Sequence, residues 1–144
     1  MYRLTKEFSF DAAHMLDGHC GKCNNLHGHT YKLKIHVFAN ELLEDKSSKD
    51  MVIDFKDLKA IVKPIVDKLD HSFIFNKQNE SESKIATILF ESGRKISEIP
   101  LRSTCENLTR IIYDELKPHL KNYNFAVELY ETPTSSCYYD GENN

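Results

Sequence analysis

The chain has 144 residues, of which 40% are hydrophobic and 28% are charged, and its formal net charge is −3. This composition is typical of one folded domain and excludes a disordered or fibrous protein. We expect no membrane-spanning segment and no signal peptide, because the apolar runs are only a few residues long. The negative net charge gives no general attraction to nucleic acid. We therefore expect one cytoplasmic domain over residues 1–144, in which cysteines serve chemistry or packing rather than disulfides.

Alternating apolar and polar residues predict two strands near the N-terminus, over residues 2–10 and 30–39. Apolar residues at helical spacing then predict an amphipathic helix over 55–69, with Asp54 as its N-cap. We expect Pro64 to kink this helix or to split it at the preceding residue, because proline cannot donate the helical hydrogen bond.

The same helical spacing predicts a second helix over 104–120, and Ser103 with Glu106 forms a capping-box pattern before it. Alternation returns over 125–130, and a short strand over 136–139 is expected to pair back as a hairpin. The predicted order of elements is ββααββ.

The segment between residues 76 and 102 is polar, with one apolar burst over 85–90. A structureless loop of this length is uncommon inside a compact domain. We therefore expect a short helix followed by an extended piece.

Histidines and cysteines concentrate in residues 14–29, which hold four of the seven histidines and two of the four cysteines. His27 and His29 are two positions apart at the start of a strand, so both imidazoles point to the same side. Gly28 is expected to keep the space between them open. His14 can supply a third nitrogen if the two strands pair as a hairpin. Three neutral imidazoles with an open fourth position are typical of catalytic zinc.

The same region also fits a structural zinc site formed by Cys20, Cys23, His27 and His29. These four residues lie within ten positions, whereas zinc fingers separate the two halves of the ligand set by about a dozen residues. A third interpretation is that the histidines merely occupy a polar loop. The cysteines distinguish the two zinc sites, because only the structural site would lose metal and fold on their replacement.

Two further groups could carry chemistry. Asp70 and His71 follow the first predicted helix, where a carboxylate can orient an imidazole as a general acid or base. The alternative is a histidine attracted by the helix dipole. Glu131 ends a predicted strand and could accept two parallel hydrogen bonds from an aminopyrimidine, or it could be a solvated charge. Glu106 could bind in the same way, although the capping box already explains it.

Six motifs occur in order along nearly the whole chain: Phe8-x-x-x-x-Ala13-His14, Cys23-x-x-x-His27-Gly28-His29, Val52-Ile53-Asp54-Phe55, Leu69-Asp70-His71, Cys105-Glu106-Asn107 and Tyr130-Glu131-Thr132. With these motifs the chain resembles the 6-pyruvoyl-tetrahydropterin synthase superfamily. It is most similar to the queuosine-pathway branch, the 6-carboxy-tetrahydropterin synthases. Six ordered motifs are far more specific than any one of them.

The resemblance implies a complete active site: zinc on His14, His27 and His29, a catalytic Cys23, a proton relay of Asp70 and His71, and substrate binding by Glu131, Glu106 and Thr104. It implies an α+β tunnelling fold (T-fold), with a ββααββ subunit, an antiparallel sheet and helices on one face. Such subunits join into oligomeric barrels, with trimers stacked into hexamers and active sites between subunits. The implied reaction converts 7,8-dihydroneopterin triphosphate to 6-carboxy-5,6,7,8-tetrahydropterin, with loss of acetaldehyde and triphosphate.

The spacing of Cys23 distinguishes two branches of this superfamily. Three residues separate it from His27, as is typical of the carboxy-forming branch, whereas the pyruvoyl-forming branch typically has five. A pyruvoyl-forming enzyme acting on the same substrate is therefore the alternative. Cys20 has no explanation in the resemblance, and packing is expected to explain Cys105 and Cys137.

Overall fold

The computed structural model describes residues 1–141, which fold around one six-stranded sheet. The strands are β1 (Tyr2–His14), β2 (His27–Ala39), β3 (Ser72–Asn76), β4 (Ile96–Ile99), β5 (Asn124–Thr132) and β6 (Ser135–Tyr139). The helices are α1 (Phe55–Leu69), α2 (Glu80–Glu91) and α3 (Cys105–Leu116), with a short 3-10 helix over Lys22–Asn24. None of the helices in residues 1–141 has the length and apolar character needed to span a bilayer. The predicted domain runs to Asn144, so its last residues lie outside the described part of the chain.

The long β1–β2 hairpin forms the centre of the sheet. Its two strands pair antiparallel from Tyr2 opposite Ala39 to His14 opposite His27. The strand order is β4-β3-β1-β2-β5-β6, and β3 pairs parallel with both β1 and β4. The sheet is therefore mixed, and the expectation of a purely antiparallel sheet is wrong. Parallel pairing needs a crossover connection, and the helix α2 provides it between β3 and β4.

The order of elements is ββαβαβαββ rather than ββααββ, because the middle of the chain adds two strands and a helix. The polar segment 76–102 contains α2 and then β4, which confirms the expected short helix followed by an extended piece. Among the strands, only β3 was not predicted from the sequence. Four of its five residues are buried, so the segment shows no apolar and polar alternation.

Apolar side chains pack on both faces of the sheet. On one face, α1 and α3 cover the alternating core residues of the central strands, among them Phe10, Leu33 and Leu129. On the other face, α2 packs against β3, and Phe73 of β3 and Ala86 of α2 belong to a separate apolar cluster. The predicted placement of helices on one face therefore holds for α1 and α3, and α2 departs from it.

The boundaries of α1 follow from its local chemistry. The carboxylate of Asp54 accepts a hydrogen bond from the backbone N–H of Lys56 at 2.7 Å, which confirms the predicted N-cap. Pro64 lies inside the helix, so the predicted split does not occur. The carbonyl of Ala60 loses its helical donor there, but both Ala60 and Pro64 are exposed and water can replace the missing bond.

The start of α3 differs from the prediction by one residue. Its N-cap is Thr104, whose side chain accepts a hydrogen bond from the N–H of Asn107 at 3.2 Å. The predicted capping box of Ser103 and Glu106 is therefore wrong. Ser103 is instead fully buried, and the helix ends at Leu116, four residues earlier than predicted.

Candidate active site

Three histidines come together at the end of the β1–β2 hairpin. His14, the last residue of β1, is opposite His27, the first residue of β2, and His29 follows on the same face. Their ring centroids are 4.6 to 5.1 Å apart, and one potential ligand atom from each ring lies within 4.8 Å of the others. The predicted hairpin therefore brings together the three histidines that were singled out. They lie on strands, so the interpretation as a polar loop is wrong.

Hydrogen bonds orient two of these rings. Nδ1 of His14 is 2.8 Å from the carbonyl oxygen of Ser103, and Nδ1 of His27 is 2.7 Å from that of Asn25. A carbonyl oxygen only accepts, so each Nδ1 carries the proton and each Nε2 presents a lone pair. Within residues 1–141, the buried Nε2 atoms of all three histidines have no hydrogen-bond partner. Three unpartnered imidazole nitrogens this close together fit a metal ion with three nitrogen ligands.

Burial favours the neutral form of His14 and of His29. It lowers the pKa of His14 to about 4, against the opposing effect of the Ser103 carbonyl and with a further lowering by His27 and His29. Burial also lowers the pKa of His29, against the opposing charge of Glu131. A neutral imidazole is the form that binds a metal ion. His14 and His29 are therefore in the form that can act as metal ligands at neutral pH.

Gly28 has a different role from the one expected. Successive side chains on a strand point to opposite faces, so a side chain here would not lie between the imidazoles. A Cβ atom at Gly28 would lie 3.3 Å from the backbone carbonyl oxygen of Ala12. The glycine therefore lets the two strands approach closely, and it does not keep the space between the rings open.

The cysteines lie outside the histidine cluster. Among the described residues, the metal-ligand atoms that converge at this point come from histidines alone. Cys20 is exposed, and Cys23 is half-buried in the 3-10 helix. The structural zinc site that includes both cysteines is therefore wrong. The carbonyl of Cys23 accepts a hydrogen bond from the N–H of Leu16 at 2.8 Å, which ties its loop to the end of β1. Its catalytic role stays a prediction.

Asp70 and His71 form a second group at the end of α1. Oδ1 of Asp70 is 2.9 Å from Nδ1 of His71, and it accepts the backbone N–H of Asp11 at the same distance. These adjacent side chains converge because the backbone of His71 is left-handed, with a φ of 57°. The N–H of Asp11, the imidazole of His71 and the charge of Lys95 lower the pKa of the Asp70 carboxyl. An ionised carboxylate therefore lies beside an imidazole that is 76% exposed.

Glu131 lies next to the histidine cluster, as its candidate role requires. Its Oε1 is 3.7 Å from Nε2 of His29, and both residues line a cavity of about 600 Å³. Tyr31 and Tyr130 add aromatic walls to this cavity, and Lys34 adds a positive charge. The buried hydroxyl of Tyr31 has no hydrogen-bond partner in the part of the chain described. The cavity offers a carboxylate and aromatic surfaces to a planar ligand.

A second cavity, of about 550 Å³, shares His29 with the first. It is lined on its other side by Asp11, His71 and Lys95. Glu131 and His71 therefore line neighbouring cavities that share His29 of the histidine cluster.

Thr104 and Glu106 stand at the start of α3. The side chain of Thr104 is engaged as the N-cap, and Glu106 is exposed. Neither residue lines the two cavities beside His29. Their role in binding substrate stays a prediction.

Sequence reasoning missed two residues of this site. Ser103 supplies the carbonyl that orients His14, and its Oγ lies 3.2 Å from the same Nδ1. Its position before a helix indicated only a cap. Asp11 holds Asp70 because β1 and β3 pair in parallel at this end, a contact between distant segments that no local pattern indicates.

Comparison with known proteins assigns the chain to a family. The family model described as 6-pyruvoyl tetrahydropterin synthase matches residues 3–142. The chain belongs to this family. Among its relatives, the 6-carboxy-5,6,7,8-tetrahydropterin synthase of Haemophilus influenzae is 49% identical over 140 residues, covering 96% of this chain and 99% of that protein. The protein of the same name from Rickettsia felis is 37% identical over 138 residues, covering 92% and 96%.

Solved structures of the 6-pyruvoyl tetrahydropterin synthase family share the fold. The enzyme of that name from Caenorhabditis elegans superposes with a TM-score of 0.71 at 28% identity, covering 98% of this chain and 96% of that one. An uncharacterised protein from Wolinella succinogenes has a TM-score of 0.83 at 21% identity, covering 98% of each chain. The predicted α+β T-fold is confirmed.

Proposed function

We propose that this member of the 6-pyruvoyl tetrahydropterin synthase family is a zinc-dependent carbon–carbon lyase of queuosine biosynthesis. It converts 7,8-dihydroneopterin triphosphate to 6-carboxy-5,6,7,8-tetrahydropterin, with release of acetaldehyde and triphosphate. The proposal rests on the three imidazoles whose buried Nε2 atoms have no hydrogen-bond partner in the described chain, beside the cavity that Glu131 lines. The 49% identity to a relative named 6-carboxy-5,6,7,8-tetrahydropterin synthase supports the carboxy-forming reaction.

His14, His27 and His29 would hold the zinc ion. Three neutral imidazoles suit zinc and leave a fourth position for substrate, whereas magnesium and calcium prefer oxygen ligands. When bound, zinc supplies a Lewis acid that polarises substrate oxygens and stabilises negative charge on them.

Two side chains of this protein, Cys23 and His71, carry out the proton transfers in this proposal. The thiolate of Cys23 removes a proton from the side chain of the substrate, because the thiolate is the reactive form of cysteine. His71 exchanges a proton through Nε2, since its Nδ1 is held by Asp70 at 2.9 Å. The carboxylate of Asp70 holds the imidazole in the orientation that this exchange requires.

Glu131 binds the pterin ring in this proposal. Its carboxylate accepts hydrogen bonds from a ring N–H and from the exocyclic amine, which together recognise an aminopyrimidine. Its distance of 3.7 Å from Nε2 of His29 places the ring-binding group beside the metal ligands. Thr104 and Glu106 are the further candidates for substrate contact.

A 6-pyruvoyl-tetrahydropterin synthase activity on the same substrate is the second candidate. The Caenorhabditis elegans structure of that name, at 28% identity, favours it. The three-residue gap between Cys23 and His27 favours the carboxy-forming reaction. Both candidates use the same zinc ligands and ring-binding residue, so the product distinguishes them.

The active form is proposed to be a cytoplasmic homo-hexamer, a dimer of trimers with active sites between subunits. In the described chain, β4 and β6 are the two edges of the sheet. Unpaired edges are a liability that closure with neighbouring copies removes. Light scattering should give a particle of about six 16.7 kDa chains, and a fully active monomer would contradict the assembly.

Product analysis tests the function directly. Zinc-loaded protein is incubated with 7,8-dihydroneopterin triphosphate, and mass spectrometry should detect 6-carboxy-5,6,7,8-tetrahydropterin. A pyruvoyl-tetrahydropterin product would replace this proposal with its alternative, and no conversion at all would contradict both. His27→Ala should form no product. His119→Ala, beyond the end of α3, is the control because that histidine is exposed, lines neither cavity beside His29 and should leave turnover unchanged.

A further inference from the structure

Lys95 lies in the short link between α2 and β4 and reaches the end of α1. Its ammonium group donates hydrogen bonds to the carbonyl oxygens of Asp67 and Asp70, the latter at 2.6 Å. Its own carbonyl oxygen accepts the N–H of Phe73 at 3.2 Å. One lysine therefore holds the chain on both sides of His71.

The hydrogen bonds of Lys95 stabilise the turn at Asp70 and His71 in two ways. The last carbonyl oxygens of a helix have no partner within the helix and carry partial negative charge, which a lysine ammonium offsets. His71 also has a left-handed backbone, a conformation that a residue other than glycine keeps only where its surroundings hold it.

The peptide group that joins Asp70 to His71 is fixed at both of its polar atoms. Lys95 binds its carbonyl oxygen at 2.6 Å, and the carbonyl oxygen of Asp11 accepts its N–H at 2.6 Å. The orientation of this peptide plane sets the direction in which the His71 side chain leaves the backbone. Asp11 alone would hold only one end of it.

We propose that Lys95 is a positioning residue that fixes this peptide plane and so directs the His71 imidazole toward Asp70. Nδ1–H then meets the carboxylate, and Nε2 is the nitrogen that exchanges a proton with a ligand in the cavity lined by His71 and Lys95. This inference rests on the proposed function of His71, and Lys95 acts only through that residue.

The proposal predicts a spectroscopic signature. A neutral imidazole whose Nδ1–H is held by a carboxylate is fixed in one tautomer, whereas an unheld exposed imidazole exchanges between two. Nitrogen-15 NMR of histidine-labelled, zinc-loaded protein measures this ratio, and His71→Gln identifies the signal. The wild-type signal should be that of the Nδ1–H tautomer.

Three variants separate positioning from other effects. Lys95→Met removes both donors and should shift His71 toward the Nε2–H tautomer, lowering kcat about tenfold with KM unchanged, the scale of losing a group that orients a functional side chain. Lys95→Arg keeps the charge and the donors, so its His71 tautomer ratio and its kcat should lie between those of Lys95→Met and wild type. Lys84→Met is the control, because that exposed lysine of α2 pairs with Glu80 on the helix surface.

Two results would overturn the proposal. One is an unchanged His71 tautomer in Lys95→Met, whatever its kcat. The other is an equal loss of kcat and an equal tautomer shift in Lys95→Met and Lys95→Arg. If Lys95→Met does not fold, Lys95→Gln takes its place, because its shorter and uncharged side chain does not reproduce both bonds, and an unchanged His71 tautomer in that variant would count against the role. The NMR result does not depend on the substrate. A wild-type protein that leaves dihydroneopterin triphosphate unconverted contradicts the proposed function, and the tautomer ratios still test Lys95.

Discussion

The histidine cluster and the Asp70–His71 turn are two parts of one site with opposite physical character. The cluster stands on paired central strands, is largely shielded from water and leaves three Nε2 atoms without hydrogen-bond partners in residues 1–141. The turn stands at a helix end and is open to water, and its carboxylate is bonded to Asp11 and His71.

The difference shows how one residue type can serve two purposes. Burial lowers the pKa of His14 to about 4, so near pH 7 this imidazole is neutral and suited to binding a cation. His71 is exposed and paired with an ionised carboxylate, which suits it to exchanging protons. Variants of the cluster should therefore change metal content, and variants of the turn should change rate while leaving the metal in place.

The largest effect is expected from the cluster itself. His27→Ala should reduce zinc from one ion per chain to a small fraction of that value and remove activity with it, because two imidazoles bind zinc far more weakly than three. Elemental analysis and turnover of the same preparation measure both. His71→Ala is the contrasting variant and should keep its zinc. Full zinc occupancy with unchanged turnover in His27→Ala would contradict the assignment of metal binding to the histidine cluster.

Cys23 tests whether a third region supplies the base. Cys23→Ala should keep its zinc and bind substrate but turn over at least about 100-fold more slowly, the usual scale for losing a general base. Cys20→Ala is the matched control, because Cys20 is an exposed thiol in the same loop. Steady-state kinetics of the two variants provide the measurement, and wild-type turnover in Cys23→Ala would refute the role.

Glu131 sharpens the comparison from the substrate side. Glu131→Gln keeps the shape of the side chain but presents a donor where an acceptor is needed, and should weaken pterin binding about tenfold or more. Zinc content and assembly should not change. Calorimetry with sepiapterin measures the affinity, with Glu44→Gln in an exposed loop as the control. Equal affinities for Glu131→Gln and wild type would favour the alternative interpretation, in which Glu131 is a solvated charge.

The smallest effect concerns stability at the turn. The folded-state pKa of Asp70 lies below its ordinary value of 3.8, chiefly because of the Asp11 N–H. Its stabilising contribution is therefore complete above that ordinary value and is lost as the pH falls through the lower folded value. In urea unfolding, the free energies of unfolding of metal-free Asp70→Asn and wild type should differ slightly at pH 7 and converge as the pH falls through the lowered folded-state pKa of Asp70. A difference independent of pH would show that the carboxylate charge is not involved, and Asp45→Asn in a loop is the control.

Local patterns were sufficient where the structure depends on neighbours in sequence. The spacing of His27 and His29 fixes their common face, and an antiparallel hairpin needs no further information to bring His14 opposite His27. Asp54 could be identified as a cap because its partner, Lys56, is two residues away. The candidate zinc ligands were therefore readable from a short stretch of chain.

The same patterns failed where distant segments meet. The strand β3 is buried on both faces and pairs in parallel, so neither its periodicity nor its place in the sheet could be read locally. Ser103 and Thr104 are equally good cap residues by type. The contact of Ser103 with buried His14, 89 positions away, leaves Thr104 as the cap. Lys95 carries no local signal at all.

The absence of a side chain at Gly28 bears on the spacing of the histidine cluster. A methyl group there would lie 3.3 Å from the Ala12 carbonyl oxygen, and a backbone atom cannot rotate away as a side chain can. The strand β1 would have to move outward from β2 and carry His14 away from His27 and His29. The spacing of the three imidazoles therefore depends in part on a residue that contributes no ligand.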